Sequence, residues 1–353
     1  MDPKELTEPK KGRPGIVVLA RSLGLSVSTV SRALNGYTDV SDATRARIQE
    51  AAARLGYSPN VRAQKLRLGR TDSVAFVLSP SQRQYADPFF LPLLTSIDEK
   101  LLSLGLDMIV TASQAGEHEL DVFHRLADGH RVDGLIFART RPNDPRIAFC
   151  KERGFPFVSL GRSAGAGEFP CVDVDHGQSG HHAASTLLGL GHRSLVLINT
   201  SSRYSYSAHC EQGFQRALEE GGAGVAAQVL EGGMTEQSGD EIAATLLARS
   251  PCPTAFICGN DAMALGVMHA AALRGLQVGI DISVIGCNDI PVAQFVSPGL
   301  SSYSAPMDEV GKSLVDLLVR QIRTMSDDHA PTIYQQVFVG RGSHGAMKER
   351  VSK

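Results

Sequence analysis

The stretch Leu19-Ala-Arg-Ser-Leu-Gly-Leu-Ser-Val-Ser-Thr-Val-Ser-Arg-Ala-Leu-Asn35 decides how the front of this chain folds. Leu19, Ala20 and Leu23 recur at helical spacing and give a first short helix one apolar face. Gly24 supplies the permissive backbone that ends it. Ser26 is a good N-cap for a second helix, whose Val30, Ala33 and Leu34 point back at the first. A small residue at Ala20, a glycine four later and a valine ten later make the pattern of a helix-turn-helix, in which the second helix enters the DNA major groove. That second helix exposes Val27, Ser28, Thr29, Ser31 and Arg32, short polar groups with one cation, which suit approach to base edges and phosphates. Taken alone, the corner also fits a helical hairpin in an ordinary core.

Working outward, Asn35-Gly36 ends the second helix. A third runs from the capping Ser41 through Ile48, Ala51, Ala52 and Leu55 to Gly56. Tyr57-Ser-Pro-Asn-Val-Arg-Ala-Gln-Lys-Leu-Arg-Leu-Gly69 follows, with Ser58 placed to cap and Pro59 in the first turn. So short a helix is not stable alone in water, so this segment is expected to order only when docked.

Val27-Ser-Thr-Val-Ser-Arg-Ala-Leu-Asn35, Val40-Ser41, Leu55-Gly-Tyr-Ser-Pro-Asn60 and Ala63-Gln-x-Leu66 resemble the headpiece and hinge helix of the lactose-repressor (LacI/GalR) family of bacterial transcription regulators. The resemblance continues more weakly through almost all of the remaining chain. It implies that residues 27, 28 and 32 face the major groove. It also implies that Leu66, with its dimer mate, wedges into the minor groove and bends the duplex. The DNA-contacting set expected on this basis is Ser26, Val27, Ser28, Thr29, Ser31, Arg32, Asn35, Tyr57, Asn60, Ala63 and Leu66. One departure is the opening Pro14-Gly-Ile-Val-Val, where the family usually has a hydroxyl cap and an acidic residue.

The charge distribution agrees. The chain of 353 residues has a net charge of −2, but residues 1–70 hold 13 Lys/Arg against 6 Asp/Glu, net +7, leaving −9 for the remainder. A basic head on an acidic body is what phosphate contact at one end requires, with salt-sensitive affinity as the consequence. Six scattered cysteines (150, 171, 210, 252, 258 and 287) form no CxxC pair and no zinc-like spacing with histidine. No secretory signal and no membrane-spanning apolar run is evident, so a cytoplasmic protein with reduced thiols and no membrane partner is expected. No GxGxxG follows the first strand and there is no P-loop, so no cofactor is expected.

From Thr71 onward, β-rich runs (Ser73–Ser79, Leu106–Ala112, Val132–Ala138, Phe157–Gly161, Ser194–Asn199, Thr254–Cys258, Ile282–Gly286) alternate with amphipathic helical stretches. Nearly continuous apolar strands alternating with helices argue for parallel sheets covered on both faces. The expected fold class is therefore α/β: an all-α helix-turn-helix headpiece, then two doubly wound parallel-sheet subdomains. The resemblance makes these a periplasmic-binding-protein-like core. The expected boundaries are 13–58 for the headpiece, 59–70 for the hinge helix and 71–342 for the core, with 343–353 a tail. Within the core, an N-subdomain takes about 71–174 and 303–334, and a C-subdomain about 175–302 and 335–342.

Open α/β sheets bind ligands at the carboxyl ends of their strands. Asp87-Pro-Phe-Phe90 follows the first strand, where Phe89 or Phe90 can stack on a sugar ring or base while Asp87 takes hydroxyls; a buried Phe pair is the plain alternative. The resemblance puts Asp261 of Asn260-Asp261 on effector hydroxyls or amines, though Asp261 also fits a helix N-cap. Arg139 and Arg141 either reach the cleft or are solvated. Asp175 either touches ligand or holds the first crossover. Met234 falls where relatives place a cleft-lining aromatic. In Ala208-His209-Cys210-Glu211-Gln212-Gly213-Phe214, Cys210 stands where relatives commonly carry a ligand-clamping arginine, with His209 beside it. Losing a fixed cation favours a neutral sugar or polyol over a phosphorylated or carboxylated ligand. Leu300-Ser-Ser-Tyr-Ser-Ala-Pro306 resembles the family's Leu-Thr-Thr-x-x-Gln-Pro, with Ala305 replacing the amide.

His209 and Cys210 lack a third orienting group, and no carboxylate pair can be assigned by spacing, so catalysis is not expected. The function expected is a homodimeric transcriptional regulator, a repressor, reading a pseudo-palindromic operator under control of a small carbohydrate-like effector. Dimerisation is expected through the Leu91–Leu104 and Ala262–Gly275 helices. Effector closure of the cleft would melt or separate the hinge helices, and the sign, induction or corepression, stays open. The alternative is a solute-binding protein that delivers sugar to a transporter and has no DNA role, which accounts for 71–340 but leaves the headpiece unexplained.

Overall fold

The computed structural model describes residues 15–34, 37, 39–57, 70–78, 88–112, 118–324 and 330–347. The chain divides into two compact units, Met1–Thr71 and Asp72–Lys353.

In the first unit, α1 (Ile16–Leu23), α2 (Val27–Leu34) and α3 (Asp42–Leu55) enclose a small core of Leu19, Ala20, Val30, Ala33, Val40, Ile48, Ala51 and Ala52. Each boundary has the chemistry its residue supplies. Gly15 precedes α1 with no side-chain cap, and Gly24 ends it in the left-handed region at φ +67°. The Ser26 hydroxyl accepts the Thr29 N–H at 3.1 Å, and Ser41 accepts that of Thr44 at 3.3 Å. The axes of α1 and α2 turn through 106°, within the range of a helix-turn-helix corner. The expected hinge helix, with Asn60, Ala63 and Leu66, lies outside the described residues, as does Asn35.

The second unit holds two parallel sheets. The first comprises β1 (Ser73–Leu78), β2 (Asp107–Ala112), β3 (Gly134–Ala138), β4 (Phe157–Leu160), β5 (Cys171–Val174) and β11 (Thr332–Tyr334), in the order β11-β5-β4-β3-β1-β2. The second comprises β6 (Ser194–Asn199), β7 (Ala226–Glu231), β8 (Ala255–Cys258) and β9 (Ser283–Ile285), in the order β7-β6-β8-β9. A separate antiparallel pair joins β10 (Ser302–Ser304) to β12 (Val337–Val339). Each sheet has a hydrophobic cluster on both faces, which is why β1, β3, β4 and β8 are apolar almost throughout. The chain changes lobe after β5, between β10 and the helix Met307–Thr324, and between β11 and β12. The cis X-Pro bonds lie at Ser250–Pro251 and Ser297–Pro298.

Two expectations shift. β10 pairs with β12 as far as Ser304, so the second crossover falls just beyond 304. Residues 343–347 are docked and not a free tail: the buried Ser343 hydroxyl donates to Val284 O at 2.6 Å, and Met347 N donates to Leu190 O at 2.8 Å.

Candidate functional site

The head presents a polar surface on α2. Ser26, Val27, Ser28 and Arg32 are exposed, Thr29 and Ser31 half-buried. The three hydroxyls at its start are linked, Ser26 Oγ lying 2.7 Å from Ser28 Oγ and 2.8 Å from Thr29 Oγ1. Tyr57 is half-buried against the headpiece core, its N–H donating to Ala52 O at 2.9 Å.

In the core, a cleft enclosing about 610 Å³ of open space lies between the carboxyl ends of the two sheets. Its lining follows the strand ends, as an open α/β sheet dictates. Phe89 caps and Phe90 opens the first core helix, Arg139 and Thr140 follow β3, Gly161 follows β4, and Asp173 and Val174 end β5. From the other lobe come Met234 after β7, Gly259 after β8 and Asn288 after β9, with His176 and Tyr206 from helix starts. Ser205 N–H donates to Thr140 O at 2.9 Å, tying the lobes together across this space.

Arg139 (φ +58°), Met234 (φ +54°) and Asn288 (φ +101°) all line the cleft and all adopt the left-handed backbone that side-chain-bearing residues avoid. Such conformations cost roughly 1–3 kcal/mol each and persist only where the surroundings over-determine them. Each is supported from behind by a buried polar side chain. The Arg146 guanidinium, 1% exposed, donates to Ala138 O at 3.1 Å and Arg139 O at 2.9 Å. Asn260 caps its helix by accepting Met263 N–H at 2.9 Å, and its amide donates to Met234 O at 3.2 Å. The fully buried Asp261 accepts from Ile290 N at 2.7 Å and from Ser302 Oγ at 2.5 Å; that hydroxyl in turn accepts Asp289 N–H at 3.1 Å. These bonds pin the turn that carries Asn288.

The sequence-predicted ligand residues therefore separate into groups. Phe89, Phe90, Arg139 and Met234 come together in the cleft, with the Arg139 guanidinium 5.5 Å from the Phe90 ring centroid. Asp87 lies outside the described residues. Asp261 is not at the cleft surface but one layer behind it, and Asn260, one residue earlier, is the N-cap. Burial pushes the Asp261 carboxyl up to about 7, against the lowering effect of its two hydrogen bonds. Arg141 turns away to Glu119 and Asp144. Asp175 caps the helix His176–Gly189 through Gln178 N at 3.0 Å and sits at the crossover, where Gln335 Nε2 approaches it at 3.4 Å. Cys210 lines a smaller interior space in the second lobe, with Cys258, Cys287 and Tyr303. It is drawn there because its helix lies hard against Gly180, where a Cβ would meet Cys210 O at 2.3 Å. Burial pushes its thiol up to about 12, and the same effect acts on Cys287, so neither is a ready nucleophile. His209 is not among the cleft-lining residues.

Sequence reasoning missed Thr140, Gly161, Asp173, His176, Tyr206 and Asn288. Asp173 accepts the Arg162 Nε–H at 2.5 Å and so brings a paired charge to the wall. Burial holds His176 below the usual imidazole value, hence neutral near pH 7 and able both to donate and to accept. The available signal for these residues was position at strand ends and helix starts. Among the described residues, no group of three or more His, Cys, Asp or Glu side chains could hold a metal ion. No single helix among them is long and apolar enough to cross a membrane.

A groove-sized polar helix on one unit and a two-lobed ligand cleft in the other define a ligand-responsive DNA-binding protein. Residues 19–60 match the model of bacterial regulatory proteins of the lacI family, and residues 184–343 match that of the periplasmic binding protein-like domain. The chain is 34% identical over 337 residues to the HTH-type transcriptional regulator AglR of Rhizobium meliloti (strain 1021), covering 94% of each. It is 31% identical over 321 residues to the HTH-type transcriptional regulator CelR of Thermobifida fusca, covering 89% of this chain and 93% of that one. The lac repressor dimer bound to operator and the anti-inducer ONPF superposes with a TM-score of 0.83 at 25% identity, over 95% of this chain and 100% of that one. A CelR–cellobiose complex superposes with a TM-score of 0.71 at 28% identity, over 94% and 100%. The chain belongs to the LacI family of bacterial regulatory proteins. It is a DNA-binding transcriptional regulator and not an enzyme, which removes the reading as a sugar-binding protein without a DNA role.

Proposed function

We propose that this protein is a cytoplasmic homodimeric repressor whose operator affinity is set by a neutral carbohydrate, a sugar or polyol, held in the interlobe cleft. The observation that carries the ligand assignment is the cleft itself. The half-buried Phe89 ring suits an apolar sugar face, while Phe90 is buried in the core behind it. His176, Asn288 and the Arg162-paired Asp173 offer directional hydrogen bonds, and Arg139 is a single cation rather than one of a cluster that would hold an anion. The relative CelR, solved as a complex with cellobiose, has the same architecture. On the DNA side, the recognition helix would read a half-site through Val27, Ser28, Thr29, Ser31 and Arg32. Two-fold pairing would match a pseudo-palindromic operator. Exposed Leu91 and Leu102 on the helix Phe90–Ser103, and Leu273 at the end of Asp261–Leu273, suit that pairing.

The test is a thermal-shift screen of neutral mono- and disaccharides, followed by footprinting on a duplex selected from a random pool. A ligand at about 100 times its Kd raises stability by roughly 2.7 kcal/mol. The same compound should change protection of a palindrome at physiological salt. No shift with any neutral sugar, and a shift with sugar phosphates, would overturn the ligand class.

A further inference from the structure

The basic head carries an acidic residue beside its recognition helix. Asp39 pairs with the Arg32 guanidinium through its carboxylate, and the Arg32 Cζ lies 5.5 Å from the centroid of the Tyr37 ring. Both charged side chains are about half exposed, so the contact is open to anything that approaches α2. Its placement is nonetheless built in. Tyr37 N donates to Arg32 O at 3.1 Å, and Val40 is buried in the headpiece core. From α3, Arg45 donates to Tyr37 O at 2.8 Å and Val40 O at 3.3 Å. The residues flanking Asp39 are thus anchored on both sides.

We propose that Asp39 is a specificity-determining counter-ion for Arg32. The inference rests on the recognition-helix reading above. One edge of the guanidinium fork is taken by the carboxylate and one face by Tyr37, which leaves the remaining donors aimed in a restricted direction. A guanidinium held this way can complete a bidentate contact with a guanine edge but cannot swing freely onto whichever phosphate is nearest. The carboxylate also brings a negative charge toward the duplex, a cost every sequence meets and only a matching base edge offsets. Asp39 therefore weakens binding to all DNA and weakens it most for DNA without the site.

The experiment uses the full chain and two duplexes of equal length, one selected from a random pool by the wild-type protein and one scrambled. Fluorescence anisotropy across a range of KCl concentrations gives affinity and salt slope for wild type, Asp39→Asn, Arg32→Ala and the double variant. Asp39→Asn should tighten scrambled DNA by about three- to five-fold per head, as expected for removing one exposed charge pair. It should tighten the selected duplex less, so that discrimination falls. The salt slope on scrambled DNA should steepen by about 0.9 for each new phosphate contact. In the Arg32→Ala background the same substitution should tighten both duplexes alike and leave discrimination unchanged. Unchanged discrimination in Asp39→Asn overturns the proposal, as does an equal effect with and without Arg32. Failure of the wild type to select any duplex would instead overturn the recognition-helix reading, so the two failures are distinguishable.

Discussion

Between Val27 and Arg32 the polar groups of the head stand on one short helix, exposed or half-buried, in ordinary helical backbone. The polar groups of the cleft come from the ends of β3, β4, β5, β7 and β9 and from two helix starts, and three of the contributing residues are held in left-handed backbone. A reader of grooves needs only a rigid ridge, because DNA brings its own shape to it. A receptor for a small molecule must enclose its ligand on several sides, so it draws side chains from distant segments and holds some in conformations they would not choose. The cost of that enclosure appears as buried polar side chains behind the wall, Arg146, Asn260 and Asp261, which the head has no need of.

If this contrast is right, breaking a support should hurt the core far more than trimming the ridge hurts the head. Arg146→Met leaves Asp144, fully buried and paired with Arg146 at 2.7 Å, without its main partner. The expected loss is about 3–5 kcal/mol, seen as a fall in melting temperature on the order of 10 °C and as loss of the sugar-induced shift. Retention of the full sugar response in a destabilised variant would show that Arg139 does not depend on this support. Arg32→Ala should leave the melting temperature alone and weaken selected-operator binding by about 10- to 100-fold, with the sugar shift intact. A wild-type DNA affinity would break the assignment of α2 as the reading helix. Phe89→Ala should weaken the stabilising sugar by up to about ten-fold with no change in DNA affinity without ligand, measured by titration calorimetry.

A last prediction concerns pH. The folded pKa of Asp261, about 7, lies above its unfolded value near 3.8. Its contribution to stability is therefore complete below the unfolded value and is lost as pH rises toward and through 7. Asp261→Asn cannot ionise, so wild type should lose stability relative to the variant between pH 4 and pH 8. A constant difference in melting temperature across that range would mean that Asp261 stays ionised and paired in the fold.

The Asn260-Asp261 pair shows where reading a motif stops short. Its place after an apolar strand was legible, and so was its importance, but the chain turns Asn260 to the cap and Asp261 inward to Ser302 and Ile290. Asn288, which reaches the cleft through that network, has no flag in its own neighbourhood. Arg141 and Arg139 looked equivalent beyond β3. They part because Glu119 and Asp144 capture one while the carbonyls held by Arg146 set the backbone of the other. β7 escaped notice because it is an edge strand with four of its six residues exposed and no continuous apolar run.

From sequence alone came the helix-turn-helix, its caps at Gly24, Ser26 and Ser41, the charge division between head and body, and the alternation that demands covered parallel sheets. All of these rest on interactions within a few residues or on a repeating period, which a linear string records. Only the tertiary structure decided which side chains meet in the cleft, which stand one layer behind it, and that Asp39 reaches Arg32. Those outcomes depend on packing between segments as far apart as Phe89 and Asn288, 199 residues along the chain, and on local competition for each charge by whichever partner the fold brings nearest.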